Sequence, residues 1–406
     1  MKKSAIATAV VLACASAFVA SGAQAADVQT SIYGIADVGY ASSSNARGLP
    51  GQTTGYSASG LITGGIAPTH IGVKVGRDLG DGLKAEAQLE AGIQFNNGNN
   101  DYAPGYLNDG QFFNRVAALA VSGEKWGRVS AGYQISPFVG ALMGVDPMGL
   151  SQSGSALTFH LGDLALRNNG AVIPNAYDNL FQRSLVTYAT PNFNGFSATL
   201  SHGFAQDSTN QSGAAATQGP QANKTSANIL TAQYAAGGFN VAAAMYQSND
   251  AYGNKMKDDM MVGAGYRFGQ FGVKAYTATY KASNIALVPI PAYPAVPTGI
   301  DSSAFKNSVI GLGGDANVTP KVNVALAYYS QKGSGTLNNN EKTNMTVLKG
   351  TYGLDRGSFL YATVSSTKNS NGADLGPFLG SSFNDGSFTP VNGSTTGYSV
   401  GMFYAF

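Results

Sequence analysis

Few residues in this chain have the types and spacing that catalysis requires. The segment Gly397–Gly401 matches the Gly-x-Ser-x-Gly pattern of a nucleophile elbow around Ser399. An elbow of that kind needs a strand, a sharp turn and a helix, with an acid and a histidine further along the chain. Only five residues follow Gly401, and none is an acid or a histidine. The alternation of an ordinary strand explains the match, so we expect no catalytic residue here.

Metal and phosphate sites also lack their usual patterns. The histidines, His70, His160 and His202, do not have the spacing of metal ligands. The run Gly311–Gly314 is not followed by the Lys-Ser/Thr of a phosphate-binding loop. A hydrolase that uses Ser201 and His202 as nucleophile and base remains an alternative, which lipid hydrolysis by the purified protein would reveal. We otherwise expect no metal, no cofactor and no enzymatic activity.

Charged residues instead follow the period of a β-strand. Between residues 83 and 95, apolar residues alternate with Lys84, Glu86, Glu90 and other polar residues. This alternation predicts a strand with one apolar face and one face in water. The segment before it, residues 69–78, alternates in the same way, and a Gly-Asp-Gly turn joins the two segments into a predicted hairpin.

The same alternation recurs along the whole chain and predicts sixteen strands. Short turns and long Gly/Ser/Asn-rich loops alternate between them, as in outer-membrane barrels. The predicted strands lie near residues 31–40, 69–78, 83–95, 112–122, 127–135, 183–190, 195–205, 226–236, 239–247, 258–268, 271–280, 305–317, 322–330, 344–354, 358–366 and 396–406.

The two ends of the chain indicate export to a membrane. Lys2 and Lys3 precede an Ala/Val/Leu-rich run and the small-x-small motif Ala23–Ala25, so residues 1–25 are predicted to be a signal peptide. At the other end, large apolar residues share one face of the last predicted strand, which suits lipid on one side and water on the other. We interpret these residues as a C-terminal assembly signal: Tyr398, Val400, Met402, Tyr404 and Phe406.

Composition limits the possible functions of the remainder, residues 26–406, which we treat as one domain. The two lysines of the leader reduce the 24 basic residues to 22, equal to the 22 acidic residues. A neutral chain argues against nucleic-acid binding. The only cysteine, Cys14, lies in the leader, so no disulfide framework is expected.

These observations together predict an all-β, sixteen-stranded antiparallel transmembrane barrel, because lipid offers no partners for open backbone groups. A barrel of this size leaves an aqueous channel. We therefore expect a passive channel for ions and small hydrophilic solutes in a bacterial outer membrane, with lipid and solutes as its partners. A surface receptor or adhesin remains an alternative. A sugar-selective channel is another, since Tyr33, Tyr246, Tyr276 and Tyr329 share the lumen parity.

Several ordered segments spread over the mature chain also have a recognisable pattern. They are Ser31–Asp37, Ile71–Lys74, Asp78–Ala85, Gln88–Glu90, Tyr188–Phe196 and Thr396–Phe406. Together they resemble the general trimeric porins of Gram-negative bacteria, of the beta-proteobacterial type. The resemblance implies a homotrimer of sixteen-stranded barrels, each with its third outer loop folded inward to narrow the channel.

Two positions depart from the family pattern. His70 and Tyr133 stand where the family commonly has arginine. The anion preference usual in the family is therefore not carried over to this chain.

The roughly 45 residues between the predicted strands ending near Ile135 and starting near Arg183 are far longer than an ordinary connection. We assign them as the constriction loop, with an outer lid or a trimer contact as the alternative. The charged residues of this loop are Asp146, Asp163, Arg167 and Asp178.

Charges that face water at the narrowest point decide the selectivity of a channel. If the apolar residues of each strand face lipid, residues of the opposite parity line the pore. Basic residues then outnumber acidic ones on the wall, so a basic wall would face an acidic loop and create a transverse field. Arg115 shares the parity of apolar neighbours and is expected at a rim or a subunit contact. The predicted pore-lining residues are Asp37, His70, Lys74, Lys84, Glu86, Glu90, Arg128, Arg183, Arg267, Lys274, Asp315 and Lys349.

Overall fold

The computed structural model describes most of the chain. The described residues are 28–47, 54–100, 112–162, 180–204, 226–249, 255–283, 285–286, 300–301, 305–335, 339–379 and 387–406. The predicted leader lies outside them, as do three charged residues of the constriction loop: Asp163, Arg167 and Asp178.

Seventeen antiparallel segments form one closed sheet. Consecutive segments pair with each other except β2 and β3, which both pair with β1, and the last segment pairs with the first from Ile35–Ala405 to Ser43–Gly397. The segments are β1 (Val28–Ala46), β2 (Tyr56–Thr63), β3 (His70–Gly80), β4 (Leu83–Gly92), β5 (Val116–Gly123), β6 (Gly127–Ile135), β7 (Phe181–Ala189), β8 (Phe196–Gly203), β9 (Ser226–Ala236), β10 (Phe239–Asn249), β11 (Lys255–Phe268), β12 (Phe271–Ala282), β15 (Phe305–Asn317), β16 (Val322–Gly333), β17 (Lys342–Gly353), β18 (Ser358–Ser370) and β19 (Ser394–Ala405). A separate pair, β13 (Ile285–Ala286) and β14 (Ile300–Asp301), lies outside this sheet.

The second strand of the barrel is interrupted. Both β2 and β3 pair with β1, so they are two halves of one strand and the barrel has the predicted sixteen strands. The sequence did not predict β2, because its inward residues Ala58 and Ile62 are apolar like its outward residue Leu61. The predicted hairpin of residues 69–78 and 83–95 is confirmed by the register of β3 and β4.

The outer surface of the barrel is apolar. Strand β10 illustrates the alternation, with Phe239, Val241 and Met245 exposed while Ala244 and Tyr246 face inward and are buried. The apolar residues of the last strand are likewise 43–54% exposed, as predicted, at Tyr398, Val400, Met402, Tyr404 and Phe406. In the part of the chain that the structure describes, no helix is long and apolar enough to cross a membrane.

The third outer connection runs from residue 136 to residue 180, and its described part, residues 136–162, enters the barrel, as the resemblance implied. It begins with helix α1 (Pro137–Val145), which has a proline in its first turn, where the missing N–H is not needed. The helix packs on the inner side of β9–β12, and Phe138, Leu142 and Val145 are fully buried there. A Cβ at Gly263 on β11 would lie 2.7 Å from Val145. The absence of a side chain at Gly263 therefore allows helix α1 to lie close to the wall. We call this connection loop 3.

Candidate functional site: the channel interior

Backbone carbonyls of loop 3 are bound by side chains of the barrel wall. The amide of Asn240 donates to the carbonyl of Gly144 over 2.6 Å. The ammonium groups of Lys274 and Lys349 donate to the carbonyls of Asp146 and Met148 over 3.3 and 2.9 Å. A cation beside the last carbonyls of a helix also interacts favourably with its dipole. The predicted wall cations Lys274 and Lys349 therefore attach loop 3 through its carbonyl oxygens.

Asp146 of loop 3 does not face the channel. It is fully buried, and its carboxylate accepts hydrogen bonds from the N–H of Leu150 at 2.7 Å, the N–H of Ala156 at 3.3 Å and the hydroxyl of Tyr329 at 2.8 Å. Burial raises the pKa of this carboxyl above its ordinary value, although these hydrogen bonds act in the opposite direction. The prediction that the Asp146 carboxylate faces the channel is wrong, because it is enclosed within the loop. Its contribution to a transverse field stays a prediction.

The middle of loop 3 crosses to the interrupted strand. Ser153 N–H donates to the carbonyl of Gly65 over 3.0 Å, and Gln152 N–H donates to the carbonyl of Ile66 over 3.3 Å. Asp37 holds this connection in place, since its carboxylate accepts from Ile66 N–H at 2.7 Å and Tyr361 hydroxyl at 2.8 Å. Asp37 is fully buried. Its predicted role as a pore-lining charge is corrected to that of an anchor beneath loop 3.

Loop 3 covers most of the inward tyrosines. Tyr246, Tyr276 and Tyr329 are buried in the cluster that joins loop 3 to the wall. They cannot form the sugar-sliding track that their parity allowed. Tyr33, on β1, is the one of the four that lies outside this cluster.

A polar network occupies the opposite wall, on β1, β3 and β4. The hydroxyl of Tyr33 donates to the carboxylate of Glu90 over 2.7 Å, and the amide of Gln88 donates to both. Arg115 forms a buried ion pair with Glu90 at 3.3 Å. The Lys74 ammonium lies 5.1 Å from the centre of the Tyr33 ring. Four residues of three strands, together with Arg115, thus share one network on the inner wall.

Arg115 was expected at a rim or a subunit contact, and this expectation is wrong. Its side chain is buried inside the barrel, with the guanidinium 5.5 Å from the centre of the Phe181 ring. The parity argument failed because Arg115 precedes the first residue of β5, where the strand period no longer applies. His70 lies near the same network, 9% exposed, with Nδ1 2.8 Å from the carbonyl of Pro68.

Several predicted pore charges are paired near the short turns. Arg128 binds Glu86 at 2.9 Å, and Arg267 binds Asp315 at 2.6 Å. Exposed pairs of this kind contribute about 0–1 kcal/mol to stability, and each pair adds no net charge to the wall. Lys84 is exposed near the turn between β3 and β4, and Arg183 is half-buried on β7.

Three lysines inside the barrel form no ion pair with a carboxylate within the described residues: Lys74, Lys274 and Lys349. The carboxylates of Asp146 and Asp315 still act electrostatically on Lys274 and Lys349 from a greater distance. Parity predicted all three. Asn240 was missed because uncharged residues were left out of the prediction, although it shares the inward parity of Ala242 and Ala244.

A closed sixteen-stranded barrel with an apolar outer surface and a loop folded into its lumen is the architecture of an outer-membrane diffusion channel. Comparison with known proteins agrees with this class. A family profile described as Gram-negative porin matches residues 7–372, and the chain belongs to this family. It is an outer-membrane porin, a passive channel for ions and small hydrophilic solutes.

Two similar proteins are outer membrane porins of beta-proteobacteria. The porin of Bordetella pertussis is 26% identical over 377 residues, which cover 86% of this chain and 91% of that protein. Outer membrane porin protein 32 of Delftia acidovorans is 27% identical over 410 residues and covers 100% of both chains.

Solved structures show the same fold. The anion-selective porin from Comamonas acidovorans superposes with a TM-score of 0.71 at 22% identity, covering 94% of this chain and 100% of that chain. The trimer form of OmpT from Vibrio cholerae has a TM-score of 0.58 at 14% identity, covering 93% and 99%.

Proposed function

We propose that this porin conducts anions in preference to cations. The proposal rests on the different environments of the basic and the acidic residues inside the barrel. Lys74, Lys274 and Lys349 form no ion pair with a carboxylate within the described residues, whereas the carboxylate of Asp146 is enclosed in its loop. The wall acids Glu86, Glu90 and Asp315 are each bound to an arginine. The Comamonas acidovorans porin is named anion-selective, but at 22% identity that likeness concerns the fold alone.

The mechanism is electrostatic. An anion that passes an ammonium group exchanges part of its hydration for that charge, and several weak sites in sequence allow entry without trapping. The interaction is partly screened, since the Debye length is about 8 Å at physiological ionic strength. We therefore expect the preference to be modest and to decrease as the salt concentration rises.

Reversal potentials in a planar bilayer under a salt gradient test the proposal. Lys74 is the best position, because its ammonium contacts a ring and does not hold loop 3. One unit charge at about 4 Å in water is worth about 1 kcal/mol, so Lys74→Gln should lower the anion-to-cation permeability ratio by up to about fivefold. The control is Lys368→Gln, because Lys368 is exposed near the outer end of β18. A wild-type channel that prefers cations would refute the proposal.

The proposal includes the absence of hydrolytic activity. The porin family and its fold are those of channels. Ser201 is buried and bonded to the Thr187 hydroxyl at 2.9 Å. His202 is the next residue on the same strand and therefore points to the other face, where Nδ1 lies 2.9 Å from Asn228 Oδ1. The two side chains do not form a catalytic pair. Release of fatty acid from phospholipid micelles by the purified protein would contradict this part.

A homotrimer is also proposed. One structure of the same fold is a trimer form. Two neighbouring outward residues of β4, Ala85 and Ala87, are small, whereas Phe239 and Met245 on β10 are large. Small residues allow two barrels to approach closely, so β4 and its neighbours suit a subunit contact. Single-channel records should open in three equal steps, and a band of trimer size should dissociate only on heating. Single steps from a monomeric species would contradict the proposal.

A further inference from the structure

The connection between β18 and β19 also enters the barrel. We call residues 371–393 loop 8; its described parts are 371–379 and 387–393. Leu375, Phe378 and Leu379 are each 2% exposed. Phe378 packs among Ala41, Ala46, Ala58 and Ile62 of β1 and β2. A loop that only projected into external water would not bury this much apolar surface.

Loop 8 has a defined internal structure. Gly376 N–H donates to the carbonyl of Ser387 and Thr389 N–H donates to the carbonyl of Asp374, both over 2.7 Å. The buried amide of Asn369, at the end of β18, donates to the carbonyl of Leu375 and to the Thr389 hydroxyl, both over 2.9 Å. These bonds join both described parts of the loop and fix them to the wall.

Loop 8 lies directly against loop 3. Leu379 N–H donates to the carbonyl of Gln152 over 2.9 Å. Ser153 and Phe378 form an antiparallel β-bridge, and Ser153 N–H donates to Gly65 on the other side. Three chain segments therefore lie side by side across the lumen: the interruption between β2 and β3, the middle of loop 3, and loop 8.

A buried ion pair fixes the outer part of loop 8. The guanidinium of Arg47, at the end of β1, lies 2.6 Å from the carboxylate of Asp374, and the two side chains are 1% and 5% exposed. The guanidinium also lies 5.0 Å from the centre of the Phe388 ring, and Arg47 N–H donates to the Phe388 carbonyl over 3.1 Å. Removal of one partner from such a pair is strongly destabilising, because it leaves a buried charge uncompensated.

We propose that loop 8 is a second restricting element of this channel and that the Arg47–Asp374 pair holds it in the lumen. The largest solute that passes is then set by loops 3 and 8 together. The inference depends on the porin function and is independent of the proposed anion preference.

Liposome swelling with neutral sugars of increasing size tests this inference, because uncharged solutes do not respond to ion selectivity. Arg47→Gln and Asp374→Asn should each raise the swelling rate with a trisaccharide, relative to a monosaccharide, severalfold. The exchanged pair, Arg47→Asp with Asp374→Arg, should return the ratio toward that of the wild type. The matched control is Lys255→Gln, which breaks the exposed pair with Asp258 at the outer end of β11 and should leave the ratio unchanged.

A second variant keeps the test decisive if changes to the ion pair prevent folding. Phe378→Ala removes the buried ring that fixes loop 8 beside loop 3 and leaves both charges in place. It should raise the same swelling ratio. Heat-modifiable migration on a gel shows whether each barrel has folded. Folded Phe378→Ala and Arg47→Gln barrels with the sugar ratio of the wild type would overturn the proposal, as would a ratio that rises equally in Lys255→Gln.

Discussion

The hydroxyl of Tyr329 offers a direct test of how loop 3 is held against the wall. It donates to the Asp146 carboxylate over 2.8 Å inside a fully buried cluster. A hydrogen bond to a charged group contributes about 1.5–3 kcal/mol. Tyr329→Phe removes this bond and keeps the ring. Every 1.4 kcal/mol changes an equilibrium constant tenfold. The fraction of molecules with loop 3 displaced from the wall should therefore rise about 10- to 150-fold.

Thiol labelling can measure that population, because the only cysteine of the chain lies in the predicted leader. Ala156 is fully buried in loop 3 beside Asp146 and accepts a small substitution. In an Ala156→Cys background, Tyr329→Phe should speed labelling by the factor given above. Tyr276→Phe is the matched control, because the buried Tyr276 hydroxyl has no hydrogen bond within the described residues. Equal labelling rates in Tyr329→Phe and the control would refute the reasoning.

Three further predictions concern the loop and the barrel end. Burial, followed by the nearby Lys257 charge, lowers the pKa of His160 in loop 3 from 6.5 to about 3. The neutral form of His160 therefore stabilises loop 3 in its position against the wall. This stabilisation is fully present above pH 6.5 and is lost progressively as the pH falls below that value. At pH 5 the loss is about 2 kcal/mol from this group, so labelling should be faster than at pH 7.5. The raised pKa of Asp146 acts in the opposite direction, and the acceleration should disappear in His160→Phe. Gly263→Val should displace Val145 and helix α1, since even a Cβ there lies 2.7 Å from Val145, and larger single-channel conductance would show it. Conductance equal to that of Gly60→Val, whose Cβ meets open space, would contradict this. Deletion of Phe406 should reduce the yield of folded, heat-modifiable barrel, and an unchanged yield would remove the terminal residue from the assembly signal.

Arg115 lies near the two positions at which the family pattern has arginine and this chain does not. His70 and Tyr133 occupy these positions, and Arg115 lies in the same part of the wall, against the Phe181 ring that also contacts Tyr133 at 5.9 Å. Its charge is balanced by Glu90. The local cationic character of this wall therefore comes from Lys74 rather than from an arginine.

The predicted parity of the wall charges was largely sufficient to identify inward-facing side chains, but it could not give their roles. Glu86 and Asp315 have the expected parity, and each binds an arginine two strands away in the barrel, across one intervening strand. Asp37 and Asp146 also lie inside the barrel, yet both are buried as hydrogen-bond acceptors. A pattern along one strand does not show what another segment of the chain places over it.

The sequence by itself determined the number of strands and, apart from β2, their positions and outward faces, because alternation with a period of two is a local property that lipid on one side and water on the other impose directly. Only the tertiary structure decided which inward residues still face the channel. The paths of loops 3 and 8 depend on contacts between residues far apart in the chain, such as Tyr329 with Asp146 and Arg47 with Asp374. These contacts exist only after the barrel has closed, when β19 pairs with β1 and brings the opposite ends of the chain together.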